Sequence, residues 1–182
     1  MPITDGRPDG YTSLTPFLVC SPAAAAIDFY CDVLGATVAM RMDGPDGTVP
    51  HAELDLPMGR LQLGDPSQAY GLVAPAVPPP AASSSSTCIY VADVDAVFAR
   101  AVERGATVRE EPSTCVTGDR LASVVDPFGH RWAIMTKVDD VTAAEQERRL
   151  ADWAAAEAAA SGAAASGAAA PVAGTTVSGT TV

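Results

Sequence analysis

Gly35-Ala36-Thr37-Val38 returns letter for letter as Gly105-Ala106-Thr107-Val108, and at the same offset Pro57-Met58-Gly59 is matched by Pro127-Phe128-Gly129. A four-letter coincidence is weak alone; its surroundings make it an internal duplication. Ahead of the first copy, Thr15–Cys20 reads as a strand. Ser21 is a suitable N-cap, and Pro22 fits the first helical turn, where its missing N–H is not needed. Ile27, Tyr30 and Leu34 recur at helical spacing, and Gly35 suits a left-handed C-terminal cap. Ahead of the second copy, Thr87–Val91 is rich in β-formers and Asp93 can cap a helix. In that helix Val94, Val97, Phe98 and Ala101 fall at i, i+3, i+4 and i+7, an apolar stripe facing a core. Gly105 ends it.

Three candidate strands follow each helix. The first set is Thr37–Met42, Val49–Leu56 and Arg60–Gly64, separated by a Gly/Pro/Asp turn at 43–47 and a tight turn at Gly59. The second is Thr107–Glu110, Arg120–Val125 and Arg131–Thr136. Its last hairpin turns at Asp126-Pro127-Phe128-Gly129, with proline and glycine where a type I turn prefers them. The order βαβββ thus occurs twice. The fold class is α+β: two βαβββ modules pairing into a cupped mixed sheet, with a C-terminal helix and a tail. Module one spans 11–66, the linker 67–86 (rich in Pro, Ala and Ser from 72 and extended at the triple proline 78–80) and module two 87–140. Thr142-x-x-Glu145 is a capping box for an alanine-rich helix within 141–160, on which Leu150 and Trp153 would dock against the domain or a second subunit. The uncharged Ala/Gly/Ser/Thr stretch 161–182 reads as disordered.

At 182 residues, 48% of them hydrophobic, the chain is long enough for one well-cored domain. No apolar run approaches the roughly 18–20 residues that span a bilayer, and the first ten residues lack the pattern of a secretory signal, so a cytoplasmic location is expected. A net charge of −11 argues against nucleic acid, whose phosphates need a basic face. It permits a cationic ligand, and it also simply keeps a surface soluble. Cys20, Cys31, Cys88 and Cys115 contain no C-x-x-C pair and are read as reduced thiols.

The runs TPFLVCSPAAAAIDFYCDVLGATV (15–38), HAELDL (51–56), DVDAVFARAVERGATV (93–108) and GDRLASVVDPFGHRWAIMT (118–136) resemble the vicinal-oxygen-chelate superfamily, that of glyoxalases, bleomycin-resistance proteins and dioxygenases. Its PhnB-like branch is the nearest in pattern, and VDDVTAAEQERR (138–149) resembles the acidic junction and short helix that end that branch. The resemblance covers about residues 11–140 and is most specific from Gly118 through the DPFGHRW segment. It implies a cup between two curved sheets that holds a metal or a small ligand, and a possible homodimer. Family metal ligands come from the first and last strands of each module. Carried over, these positions are Thr15 and Gln62 in module one and Ser86 and Ala133 in module two. Thr, Ser and Gln are poor neutral ligands for a divalent metal and Ala is none, so the resemblance implies a protein without the usual metal centre, and no cofactor. A divalent metal at other residues stays open.

His51 and His130 are the two histidines. His51-Ala52-Glu53-Leu54-Asp55-Leu56 alternates, so His51, Glu53 and Asp55 share one strand face and the apolar residues the other. His51 and Glu53 either line the cup as an acid–base pair or partial metal site, or form a wet strand face. His130 reads as a turn residue. Phe17, Cys88 and Tyr90 share parity with Thr15 and Ser86 and would line the cup, an aromatic lining that suits a planar ligand. Trp132 would pack under a helix if Ala133 faces the cup. Arg120 is a structural salt bridge by default and an anion contact otherwise. No Gly-rich phosphate loop or G-x-S-x-G elbow is present. Three readings follow: a metal-free binding protein for a small, aromatic or cationic molecule; a lyase, isomerase or dioxygenase-like enzyme using His51 and Glu53; and a structural or regulatory module with a vestigial cavity.

Overall fold

The computed structural model describes residue 6 and residues 8–57, 59–78 and 82–167, with 161–167 as helical backbone. Two compact units meet in sequence at Asp139–Asp140. In the first unit the order βαβββ appears twice. Module one runs β1 (Phe17–Val19), α1 (Ala23–Leu34), β2 (Thr37–Met42), β3 (His51–Leu56), β4 (Gly59–Gly64). Module two runs β5 (Thr87–Tyr90), α2 (Val94–Glu103), β6 (Thr107–Thr114), β7 (Asp119–Val125), β8 (Arg131–Lys137). Each module builds a four-stranded mixed sheet, in the orders β1-β4-β3-β2 and β5-β8-β7-β6. The first and last strands of a module are parallel and the others antiparallel. A single 3₁₀ turn, Gln68–Tyr70, opens the linker.

The helices form where the sequence pattern places them, and their caps differ in detail. Gly35 is left-handed at φ 67° and closes α1 as expected. The start of α1 is a correction. Pro22, not Ser21, holds the N-cap position and caps nothing with its side chain. The carboxylate of Asp65, just past β4, accepts from Ala23 N at 3.0 Å and from Val49 N at 2.7 Å instead. Asp93 caps α2 as read from sequence, accepting from Ala96 N at 3.0 Å. Thr136, in the last strand of module two, accepts from Val94 N at 2.9 Å. In both modules, therefore, a residue in or just after the closing strand supplies an acceptor for the helix N-terminus.

The core is shared by both modules. Ala52, Leu54, Leu61 and Leu63 from sheet one, Ala122, Val124, Trp132 and Ile134 from sheet two, and the inner faces of α1 and α2 belong to one buried cluster. Phe29, Tyr30, Phe128 and Trp132 form its aromatic centre, with Tyr30 and Trp132 ring centroids 5.4 Å apart. At that centre the buried carboxylate of Asp126 accepts from the Tyr30 hydroxyl (2.6 Å), Trp132 Nε1 (2.9 Å), Phe128 N (2.9 Å) and His130 N (2.9 Å). A buried polar group tolerates removal from water only when its hydrogen-bonding capacity is used in this way. His130 Nε2 reaches Val19 O at 3.0 Å. The Asp126-Pro-Phe-Gly129 turn thus binds module two to α1 and β1 of module one. Gly129, at φ 90°, also lies so close to Pro75 of the linker that a Cβ there would meet Pro75 Cβ at 2.7 Å.

Several boundaries differ from the sequence reading: β3 starts at His51 rather than Val49, and β4, β5, β7 and β8 shift by one residue. β1 starts at Phe17, two residues late. β6 continues to Thr114, past Glu110, with register shifts that absorb the extra residues. The C-terminal helix α3 (Ala143–Gly167) passes the boundary expected at residue 160 and takes in residues assigned to the tail; 168–182 lie outside the described residues, as do Pro79 and Pro80 of the triple proline. Just ahead of α3, Thr142 Oγ1 accepts from Glu145 N at 3.3 Å, one half of the capping box. The Glu145 carboxylate is taken by Arg148 and Arg149, which hold it at a pKa of about 2. All four cysteines are free. No described helix is long and apolar enough to cross a membrane.

Candidate functional site

Each sheet has one face against the helices and one open face, and strand parity decides what the open face carries. On sheet one, Phe17 pairs with Gln62, Gln62 with Glu53 and Glu53 with Met40, which makes one cross-sheet row. His51 and Met42 form the next row, and Asp55, Arg60 and Thr37 flank the first on its other side. The Phe17 and His51 rings lie 5.8 Å apart. The alternation read from HAELDL holds: Ala52 and Leu54 are fully buried, while His51, Glu53 and Asp55 are part-buried on the open face.

His51 and Glu53 do come together, His51 Nε2 lying 3.4 Å from Glu53 Oε1. Glu53 is not a free base, however. Arg60 Nη1 donates to its other oxygen at 2.8 Å, and Arg60 Nε and Nη2 donate to Asp55 at 2.9 and 2.7 Å. The N-terminal segment then folds over this row. The Tyr11 ring lies 4.5 Å from the Arg60 guanidinium, and its hydroxyl accepts from Gln62 Nε2 at 3.3 Å. A hydrogen bond to Tyr11, joined by His51 and Arg60, holds the Glu53 carboxyl below the usual glutamate range. Arg60 and Tyr11 were not among the residues picked out from sequence. The tight turn at Gly59 sets Arg60 directly across from Asp55, so the hairpin register carried a signal for the arginine. Nothing local to Tyr11 points to its place.

On sheet two the corresponding row is Cys88–Ala133–Ser123–Glu110, with Tyr90, Met135 and Leu121 beside it. Tyr90 donates to Asp119 at 3.3 Å, and Arg131 donates to Ser123 and Glu110. Ala133 lies on the opposite face from Trp132, which is buried against Tyr30 of α1, as the parity reading required. Three residues read from sequence stand elsewhere. Thr15 and Ser86 precede their strands rather than lying in them, and Thr15 Oγ1 donates to Thr12 O at 3.3 Å. Arg120 shares the helix-side face of β7 with Ala122 and Val124, where Asp95 of α2 holds it through two bonds of 2.6 and 2.7 Å. It is a structural ion pair, with no place on the open face. A groove of about 470 Å³ lined by Ser21, Pro66, Gln68, Leu72 and Val73 includes none of the residues read as cup-lining.

The donor set does not fit the divalent metal centre that the resemblance raises. Gln62 and Ala133 sit on separate sheets, and the open face of sheet one offers a carboxylate already neutralised by an arginine. Among the described residues no three His, Cys, Asp or Glu side chains gather where they could hold an ion.

The chain is similar to several known proteins. Over 137 residues it is 37% identical to the uncharacterised protein Mb0911c of Mycobacterium bovis, covering 73% of this chain and 88% of that one. It has the same identity to the uncharacterised Rv0887c of Mycobacterium tuberculosis, over 79% of that protein. Its fold is shared with PA1353 of Pseudomonas aeruginosa (TM-score 0.58, 19% identity, 70% of this chain and 99% of that one). TioX from Micromonospora sp. ML1 shares it likewise (TM-score 0.55, 23% identity, 70% and 99%). The family model described as "Glyoxalase/Bleomycin resistance protein/Dioxygenase superfamily" matches residues 13–134, which contain sheet one, the Asp126 turn and sheet two up to the middle of β8. The chain belongs to the glyoxalase/bleomycin resistance protein/dioxygenase superfamily.

Proposed function

We propose that this chain is a metal-independent binding protein of the PhnB-like branch, which seats a small planar or apolar molecule, neutral or cationic, on its open sheet faces. The observation that carries the reading is the state of Glu53. A general base working near neutral pH needs a raised pKa and a free lone pair. Glu53 has a lowered pKa and both its oxygens engaged. What remains on the open faces is contact surface: Phe17, His51, Met40 and Met42 on one sheet, Cys88, Tyr90 and Met135 on the other. Methionine and aromatic side chains supply adaptable apolar contact area. One similar structure is titled a putative 3-demethylubiquinone-9 3-methyltransferase, PhnB protein, from Bacillus cereus (TM-score 0.53, 16% identity), which agrees with the branch at the level of fold alone.

Met40 and Met42 on one sheet and Tyr90 on the other are exposed in a single chain. A second copy is the partner we propose for these faces, in the cytoplasm. A thermal-shift screen with planar aromatic cations and their neutral isosteres tests the reading. Binding without turnover, weakened in Phe17→Ala or Tyr90→Ala and only slightly in His51→Ala, supports it. The enzyme reading rests on the 3.4 Å His51–Glu53 contact and requires product formation that His51→Ala abolishes. A screen with no stabilising compound leaves the vestigial-cavity reading.

A further inference from the structure

We propose that Cys88 and Met135 form a two-sulfur binding site for a soft monovalent d¹⁰ cation, cuprous or silver, on the open face of sheet two. The two sulfurs are 3.2 Å apart, joined by a hydrogen bond from the Cys88 thiol to the Met135 thioether, and they separate to admit the ion when that proton leaves. They come from neighbouring parallel strands, with Cys88 beside Ala133 and Met135 beside Tyr90, so both side chains rise from one face. Cys88 is exposed and Met135 part-buried, which leaves the pair open to a small ion from solvent. The duplication makes the pairing specific to module two. By strand register Phe17 and Gly64 occupy the equivalent positions in module one, where the Phe17 ring lies over the glycine; module two replaces that packing with two sulfur donors.

The chemistry follows from the donors. A thiolate and a thioether are soft ligands that select monovalent copper and its heavier congener over oxygen-preferring divalent ions, and such cations accept as few as two donors. Burial, together with the negative charge of Asp119, raises the Cys88 pKa, so the free site carries a neutral thiol. Binding exchanges that proton for the cation: the S–H bond breaks, one S–M bond forms, the proton leaves to solvent and a Met135 lone pair supplies the second bond. No oxidant or reductant is consumed. Cys20, by contrast, is buried beside Tyr30 and pushed up to about 12, out of reach of an ion in solution. The pair lies on the same face as the proposed organic-ligand surface, but the cation needs only the two sulfurs, so the two readings can fail separately.

The test is titration of the reduced full-length protein with silver(I), and with copper(I) under anaerobic conditions against a chromophoric copper(I) chelator, with released protons counted. One tight equivalent and one proton per chain are expected. Cys88→Ser should abolish tight binding, and Met135→Leu should weaken it about tenfold or more, roughly 1.4 kcal/mol. Cys115→Ser should leave it unchanged. X-ray absorption of the wild-type complex gives a check free of folding defects and should show a two-sulfur shell. Wild-type affinity in Met135→Leu, binding that disappears with Cys31 or Cys115 instead of Cys88, or a shell with one sulfur, would overturn the proposal.

Discussion

Glu53 shows how far a single residue's chemistry departs from its type. Its strand and its face were legible in the alternation of HAELDL, because a period of two is a local property of the chain. Its ionisation was not, because the partners that set it come from β4 and from the N-terminal segment. Arg60→Met should raise the Glu53 pKa toward or above the ordinary glutamate value, and Tyr11→Phe should move it the same way; a carboxyl-carbon NMR titration reads both. The direction fixes a pH effect. A carboxyl whose folded pKa lies below its unfolded value stabilises the fold above the unfolded value and loses that contribution as pH falls through the folded one. The wild type should therefore lose more stability than Glu53→Gln on acidification below pH about 4.5, in urea melts across that range. An equal loss would mean that the network contributes nothing.

At the scale of elements, the duplication hides a division of labour between closing strands, helices and turns. Sequence placed the eight strands and both helices because turn residues and apolar periods are local signals. It cut β6 short at Glu110, whereas the strand runs on to Thr114 at a sheet edge, where register shifts between Val108 and Ser113 accommodate Pro112. It also assigned the α1 cap to Ser21, the adjacent capping-type residue, whereas the acceptor is Asp65, which comes close only when β4 folds back beside β1. Asp65→Ala should cost about 1 kcal/mol through the lost cap, and more if Val49 N also goes unpaired, measured by chemical denaturation. Asp126 is the stricter case. Asp126→Ala strands four donors in the core and should cost at least about 3 kcal/mol, while Tyr30→Phe, which removes one donor, should cost about 1–3 kcal/mol. Near-equal losses would show that the Tyr30 link alone carries the joint between modules.

At the scale of the molecule, two modules of one pattern share a core through α1, α2 and the Asp126 turn while their open faces stay on separate sheets. The repeat itself was readable in Gly-Ala-Thr-Val. The way the modules join was not, because Tyr30 and Asp126 are 96 residues apart and neither announces the other. If a second copy covers the open faces, sedimentation should give twice 18.5 kDa at micromolar concentration, and Met40→Glu with Tyr90→Glu should return it to the monomer mass. The same open faces carry the account's central claim, that small molecules are bound without a divalent metal. Metal content per chain, after dialysis against zinc, nickel, manganese and ferrous iron in turn, tests it most directly. Well under one equivalent of each should remain. Close to one equivalent of any, lost on His51→Ala, would contradict the account and make this open face a metal centre.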